Sequence, residues 1–206
     1  MSSSSNSVAE DRAGGDDSNL WRVIDRDNVH GLNLAVPEDA KEVIKPWDKR
    51  EDTAKFADSN VDDQVIIHVP FSQNVRLRSV LLKLGRGESA PNRLQIYANH
   101  PNIVDFTEAE TTTAHLDISL LQGESTVVEY PLKVAAFASI NSVSLFFSES
   151  VGGDLSRIYY IGFKGDIREL KKDKNTPMDV PAANAADALL FDRLQDKASG
   201  QQTTAR

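Results

Sequence analysis

The 206-residue chain has no cysteine. Disulfides, thiolate nucleophiles, cysteine-held zinc and dithiol redox chemistry are therefore excluded together. The same absence argues against a small disulfide-stapled extracellular module. Long apolar runs are missing too. No stretch approaches the ~18 residues that mark a membrane-crossing helix, and no basic segment leading into an apolar one opens the chain. The protein is expected in the cytoplasm and nucleus, with no membrane partner. Positive charge is in short supply, since 23 Lys and Arg against 31 Asp and Glu leave a net charge of −8. Phosphate recognition depends on clustered cations, so nucleic acid is not an expected partner, and the acidity is read as serving solubility.

Catalytic signatures are lacking as well. His30, His68, His100 and His115 are dispersed, with no H-E-x-x-H or H-x-H spacing. There is no G-x-S-x-G elbow, phosphate-binding loop or dinucleotide fingerprint, and the Gly85-Arg86-Gly87 stretch lacks a third glycine and a following helix. No catalytic, metal or cofactor residue is assigned, and the chain is read as a non-enzyme. Residues 58–63, DSNVDD, gather side-chain oxygens as a calcium loop would. The EF-hand pattern fails, however, with Asp63 where glycine is needed and Val69 where a bidentate glutamate belongs, so a solvated acidic loop is the simpler reading.

What the sequence does carry is alternation. In residues 62–85, DDQVIIHVPFSQNVRLRSVLLKLG, Val65, Ile67 and Val69 alternate with Gln64, Ile66 and His68, the period-2 mark of a strand with one face on a core. After Pro70-Phe71-Ser72 the pattern resumes at Val75 and Leu77 and then shifts phase to Val80, Leu82 and Leu84. A bulge or bend near Ser79 follows from that shift. Further short strands are expected over residues 29–36, 93–97, 115–121, 126–132 and 134–137, with Pro131 on an edge. Val143, Leu145 and Phe147 alternate most cleanly, and residues 158–163 are expected to pair with them. There, Tyr159, Ile161 and Phe163 share one face, and Ile158 and Tyr160 the other. Many short strands between Gly, Pro, Asn and Ser loops predict an all-β sandwich or jelly roll.

Residues 19–190 are read as one domain. A disordered N-terminal tail precedes it (residues 1–18), a short amphipathic helix through Ala186, Leu189, Leu190 and Leu194 falls near its end, and residues 191–206 form a C-terminal tail. Two exposed segments are candidates for partner contact. One is Lys45, Pro46, Trp47, Asp48, Lys49 and Arg50, where a tryptophan in a charged rim acts either as an interface anchor or as a plug on the sandwich. The other is the loop with Gly152, Gly153 and Asp154.

Several stretches in order along the chain resemble the PITH domain family: IKPWDKRED (44–52), VDDQVIIHVPFSQNVRLRSVLLKLG (61–85), SAPNRLQIYAN (89–99), VEYPLKVAAF (128–137), SVSLFFSES (142–150), SRIYYIGFKGD (156–166) and PAANAAD (181–187). The resemblance implies a jelly-roll β-sandwich similar to galactose-binding-like domains, working as a protein-interaction module. In two-domain relatives such a module docks a thioredoxin domain on the regulatory particle of the proteasome. This chain lacks the thioredoxin half with its W-C-G-P-C site, and its C-terminal stretch LLFDRLQDKASGQQTTAR departs from theirs, so it is similar to the stand-alone PITH proteins. The expected partner is a protein, with regulatory-particle subunits first among candidates, and the expected state is a monomer. A rival expectation is a jelly roll that binds a carbohydrate or other polar small ligand through Trp47, Tyr97, Tyr160 and loop carboxylates.

Overall fold

The alternation of residues 64–85 becomes a single 20-residue strand, β3 (Val65–Leu84), in the computed structural model, which describes residues 18–168. Around it stand β1 (His30–Leu32), β2 (Ala57–Asp58), β4 (Pro91–Ala98), β5 (Leu116–Ser119), β6 (Val128–Pro131), β7 (Ile140–Ser150) and β8 (Arg157–Ile167). Two short helices, α1 (Asp39–Glu42) and α2 (Phe106–Thr111), complete the described elements with a few 3-10 turns.

β3 belongs to two layers. Its first half pairs with β1 on one side and β7 on the other, and β4 and β5 extend that layer. Its second half pairs with β8 and β6, and β2 adds a short strand beyond β8. All these pairings are antiparallel. The register breaks between Pro70 and Val75 against β7, and between Leu77 and Ser79 against β8, which leaves Arg78 as the extra residue of a bulge. That is the phase shift visible in the sequence. Asp63 accepts a hydrogen bond from the Ser156 hydroxyl (2.5 Å), and the Gly85 N–H donates to the Arg157 carbonyl (2.7 Å). The strand therefore starts and finishes at the same end of the sandwich, doubling back through residues 71–74.

The core lies between the layers. Val65, Ile67, Val69, Val75, Leu77, Val80 and Leu82 of β3 meet Val143, Leu145 and Phe147 of β7 and Ile158, Ile161 and Phe163 of β8. All are fully or almost fully buried. Each such side chain contributes about 1.5–3 kcal/mol of apolar transfer. A smaller cluster covers the outer face of the first layer, where α2 lays Ala109 over Ile66, Tyr97 and Phe146.

Three expectations need correction. β7 and β8 do not pair with each other, because their connection crosses from one layer to the other and β3 separates them. Residues 134–137 are a turn, and only β6 upstream of them forms ladder bonds. In β8 the register slips between the partners of Lys83 and Leu84, so Tyr159 is the extra residue and Ile158, not Tyr159, joins Ile161 and Phe163 in the core. The amphipathic segment 186–194 and the chain tails 1–17 and 169–206 lie outside the described residues.

The margin of β8 away from β3 is closed in pieces. β2 pairs with its start, the Ile161 N–H donates to the Val43 carbonyl (2.9 Å), and residues 18–20 bond Phe163 and Gly165 (2.9 and 2.8 Å). That route brings the N-terminal segment and residues 43–51 onto the outer side of the second layer.

Candidate functional site

On that outer side, Pro46 in extended backbone leads into a 3-10 turn, Trp47–Lys49. The turn folds Arg50 back, with its guanidinium 4.0 Å from the centre of the Trp47 ring and donating to the Trp47 carbonyl (2.9 Å). Lys164 of β8 brings its ammonium within 5.6 Å of the same ring and pairs with Glu129 of β6 (2.5 Å). Next along the segment, Glu51 accepts from the nearly buried Lys83 ammonium (2.6 Å) and from the Val127 N–H (3.3 Å). These bonds hold the carboxyls of Glu51 and Glu129 below the usual glutamate range despite partial burial, which pulls the other way. Residues 47–51 are thereby strapped across β8, β3 and β6.

Beneath the strap Tyr160 is fully buried, and a Cβ on Gly162 would come within 2.3 Å of its hydroxyl. A bare glycine two residues on is what leaves room for the ring. Trp47 is thus both a cover for the sheet and a partly open surface.

The wall facing it comes from the N-terminal segment. Trp21 starts a 3-10 turn, its backbone N–H donating to the Asn19 side chain (2.8 Å), and the Arg26 guanidinium lies 4.4 Å from its ring centre. Between the two indoles runs a groove of about 620 Å³ with the end of β8 as its floor, lined also by Asn19, Pro46, Asp48 and Asp166. Both tryptophans of the chain face it, each with an arginine stacked on it. No spacing in the sequence links Trp21 to Trp47; β8 brings the two together.

The other candidate residues divide. Pro46, Trp47 and Asp48 line the groove, Lys49 is exposed beside it, and Arg50 supports Trp47. Lys45 is buried, its ammonium donating to the carbonyls of Asp52 (2.8 Å) and Lys55 (2.7 Å), so it ties down the following loop. Gly152, Gly153 and Asp154 sit in the β7–β8 connection at the far end of β8, roughly 35 Å of strand away from Ile167. There the Gly152 N–H donates to the Glu88 carbonyl (2.8 Å), a Cβ on it would meet the Glu88 Cβ at 2.8 Å, and Gly153 has a positive φ of 78°. The two candidate segments do not form one surface.

The aromatics named for a saccharide are corrected in part. Tyr97 is buried with its hydroxyl donating to the Ala109 carbonyl (2.8 Å), and Tyr160 is buried under the strap, so neither offers a stacking platform. The carboxylates of residues 58–63 are engaged internally. Asp58 accepts from Nε and Nη2 of Arg157 (2.7 and 2.6 Å), Asp62 accepts from Asn33 (2.7 Å), and Asp63 accepts from the Ser150 N–H (2.6 Å). His68 shares a hydrogen bond with Ser144 (3.0 Å), and no carboxylate hydrogen-bonds the imidazole among the described residues. No His, Asp and Glu trio converges there in a metal-holding arrangement, and no described helix is long and apolar enough to cross a membrane.

Comparison with known proteins agrees with this architecture. The family model described as "PITH domain" matches residues 10–182. A PITH domain-containing protein of Drosophila melanogaster is 33% identical over 169 residues, 82% of this chain and 79% of the relative. PITH domain-containing protein 1 of Homo sapiens is 31% identical over the same shares, and a Schizosaccharomyces pombe relative is 30% identical over 77% of this chain and 78% of its own. Among solved structures, the chain is similar to CBM32-3 from a family 31 glycoside hydrolase of Clostridium perfringens. The TM-score is 0.51 at 11% identity, covering 74% of this chain and 97% of that one. The CBM32-1 and CBM32-2 domains of ZmpB from the same organism, in complex with GalNAc, give 0.51 at 12% identity over 71% of this chain and 34% of that one. At such identities the likeness shows the fold alone: a galactose-binding-like jelly roll.

Proposed function

The chain belongs to the PITH domain family, and on that premise we propose that it is a non-enzymatic protein-interaction module, monomeric and resident in cytoplasm and nucleus, whose partner is the regulatory particle of the proteasome. The observation that carries this reading is the groove between Trp21 and Trp47. Aromatic side chains held rigid by stacked arginines give large contact area at little entropic cost, which is how interface anchors work. The strap of residues 47–51 is fixed at several points, so little ordering remains to be lost on binding. A saccharide ligand, the use printed for the GalNAc-bound neighbour, has less support, because two of the three aromatics that would hold a sugar are buried. The test is affinity capture from native lysate with the full chain as bait. Regulatory-particle subunits should be enriched over a Trp47→Ala bait of equal stability; equal recovery on both baits removes the groove as the docking site, and recovery on neither removes the proteasome as partner.

A further inference from the structure

Beside the groove, across Pro46, lies a second hollow of about 420 Å³. Five cations line it, Arg26, Lys41, Lys45, Lys49 and Lys55, against three acids. In a chain of net charge −8 the local balance is thus +2 (five minus three). Of the acids, Glu42 is taken up by Lys55 (2.5 Å). The Asp52 carboxylate accepts from the Ala54 N–H (2.8 Å). Asp27 faces Lys41 with its carbonyl, which accepts from the lysine ammonium (2.7 Å). Among the described residues no carboxylate lies within salt-bridge distance of Arg26, Lys41 or Lys49. Three cations therefore keep open donor positions around one hollow.

The two hollows are joined. Pro46 lines both, and Arg26 stands in the second while stacked on Trp21 of the first. Their characters differ, since the groove has aromatic walls and carries Asp48 and Asp166, the latter paired with Arg78 (2.7 Å). A uniform polyanion such as a nucleic-acid backbone would meet those acids in the groove and the chain's overall negative field outside it. A ligand apolar in one half and acidic in the other meets neither conflict.

Resting on the reading of the chain as an interaction module, we infer that this composite surface receives an extended acidic peptide segment of the partner protein. An apolar residue sits between Trp21 and Trp47, and adjacent carboxylates lie on Arg26, Lys41 and Lys49. The net charge of the chain repels acidic partners at long range, and the local cations single out a peptide that presents its acids in this order.

The chain's two tryptophans both line the groove, so intrinsic emission reports directly on occupancy. The probe is a tryptophan-free peptide of two leucines followed by four glutamates, titrated into the full chain. A saturable shift in emission is expected, weakened about tenfold when salt rises from about 50 to 300 mM. A Lys41→Glu/Lys49→Glu variant should bind at least about tenfold more weakly, and Lys133→Glu, at an exposed site elsewhere, should bind as the parent does. Melting curves establish that the variants fold. No saturable shift, equal affinity of the double variant, equal binding of a glutamine-for-glutamate peptide, or full displacement by equimolar inorganic phosphate would each overturn the inference. Lysate capture separates the two levels: a double variant that recovers the parent's partners while Trp47→Ala loses them refutes the acidic segment and leaves the interaction module standing.

Discussion

His68, near the start of β3, is half-buried, directly opposite His30 of β1 and hydrogen-bonded to Ser144 of β7. Burial pushes its pKa down from the ordinary 6.5, and the charge of His30 adds to the effect. The unfolded chain therefore takes up this proton at higher pH than the folded one. Stability should be at its full value above pH 6.5 and be lost as pH falls below it. Urea midpoints at pH 7.5 and 5.5 should show that loss in the parent and a flatter profile in His68→Gln; equal slopes would mean another group governs the range. The carboxylates with lowered pKa values, among them Glu51 and Glu129, act at lower pH and do not confuse the comparison. Gly165 offers a second residue-level test. A Cβ there would sit 2.0 Å from the Arg76 carbonyl oxygen, a backbone atom that cannot swing aside. Gly165→Ala should cost about 1–3 kcal/mol by overpacking, read as a lower denaturation midpoint. Single residues were only partly legible in the sequence. Alternation assigned Val65, Ile67 and Val69 to the core, but it says nothing about whether the opposite face is wet. Tyr97 and Tyr160 point away from the main core and are still buried, because α2 and the strap of residues 47–51 come from elsewhere in the chain to cover them.

Among the elements, β3 could be read with its bulge, since a change of phase in an apolar pattern is a local signal. α2 carries a local signal too. Asp105 and Glu108 have the spacing of a capping box, and both halves form: the Asp105 side chain accepts from the Glu108 N–H (2.7 Å), and Glu108 accepts in return (3.4 Å). A six-residue helix has little stability of its own, so this cap and the Phe106 contact with Phe146 (5.9 Å between ring centres) hold it down. Asp105→Ala should lower stability by about 1 kcal/mol, and Asp105→Asn, which can still cap, by much less. Equal losses for the two, measured by chemical denaturation, would assign the effect to charge and not to the cap. The expected partnership of β7 with β8 failed for the opposite reason. Closeness in sequence favours a hairpin, yet their link passes between layers, and which layer a strand joins is set by long-range packing that alternation does not encode. The site fared likewise: the segment 45–50 was visible as a charged rim around a tryptophan, whereas its counterpart at Trp21 was not.

For the molecule as a whole, the decisive fact is that one strand is shared by both layers. Neither sheet can separate while β3 stays paired, so the described domain should unfold in one step. Tryptophan emission senses the second layer, and hydrogen exchange of β4 and β7 amides senses the first. The two should give the same midpoint in denaturant, with β3 amides among the slowest to exchange; distinct midpoints would show that the layers come apart independently. The patchwork hem along β8 has a further effect. Short lengths of chain from three places interrupt its row of backbone donors and acceptors, β5 on the opposite flank is only four residues long, and β6 ends in a proline. Among the described residues no border of the sandwich offers a long, regular template on which a strand from another molecule could register, which protects a sheet-rich protein from growing into fibrils.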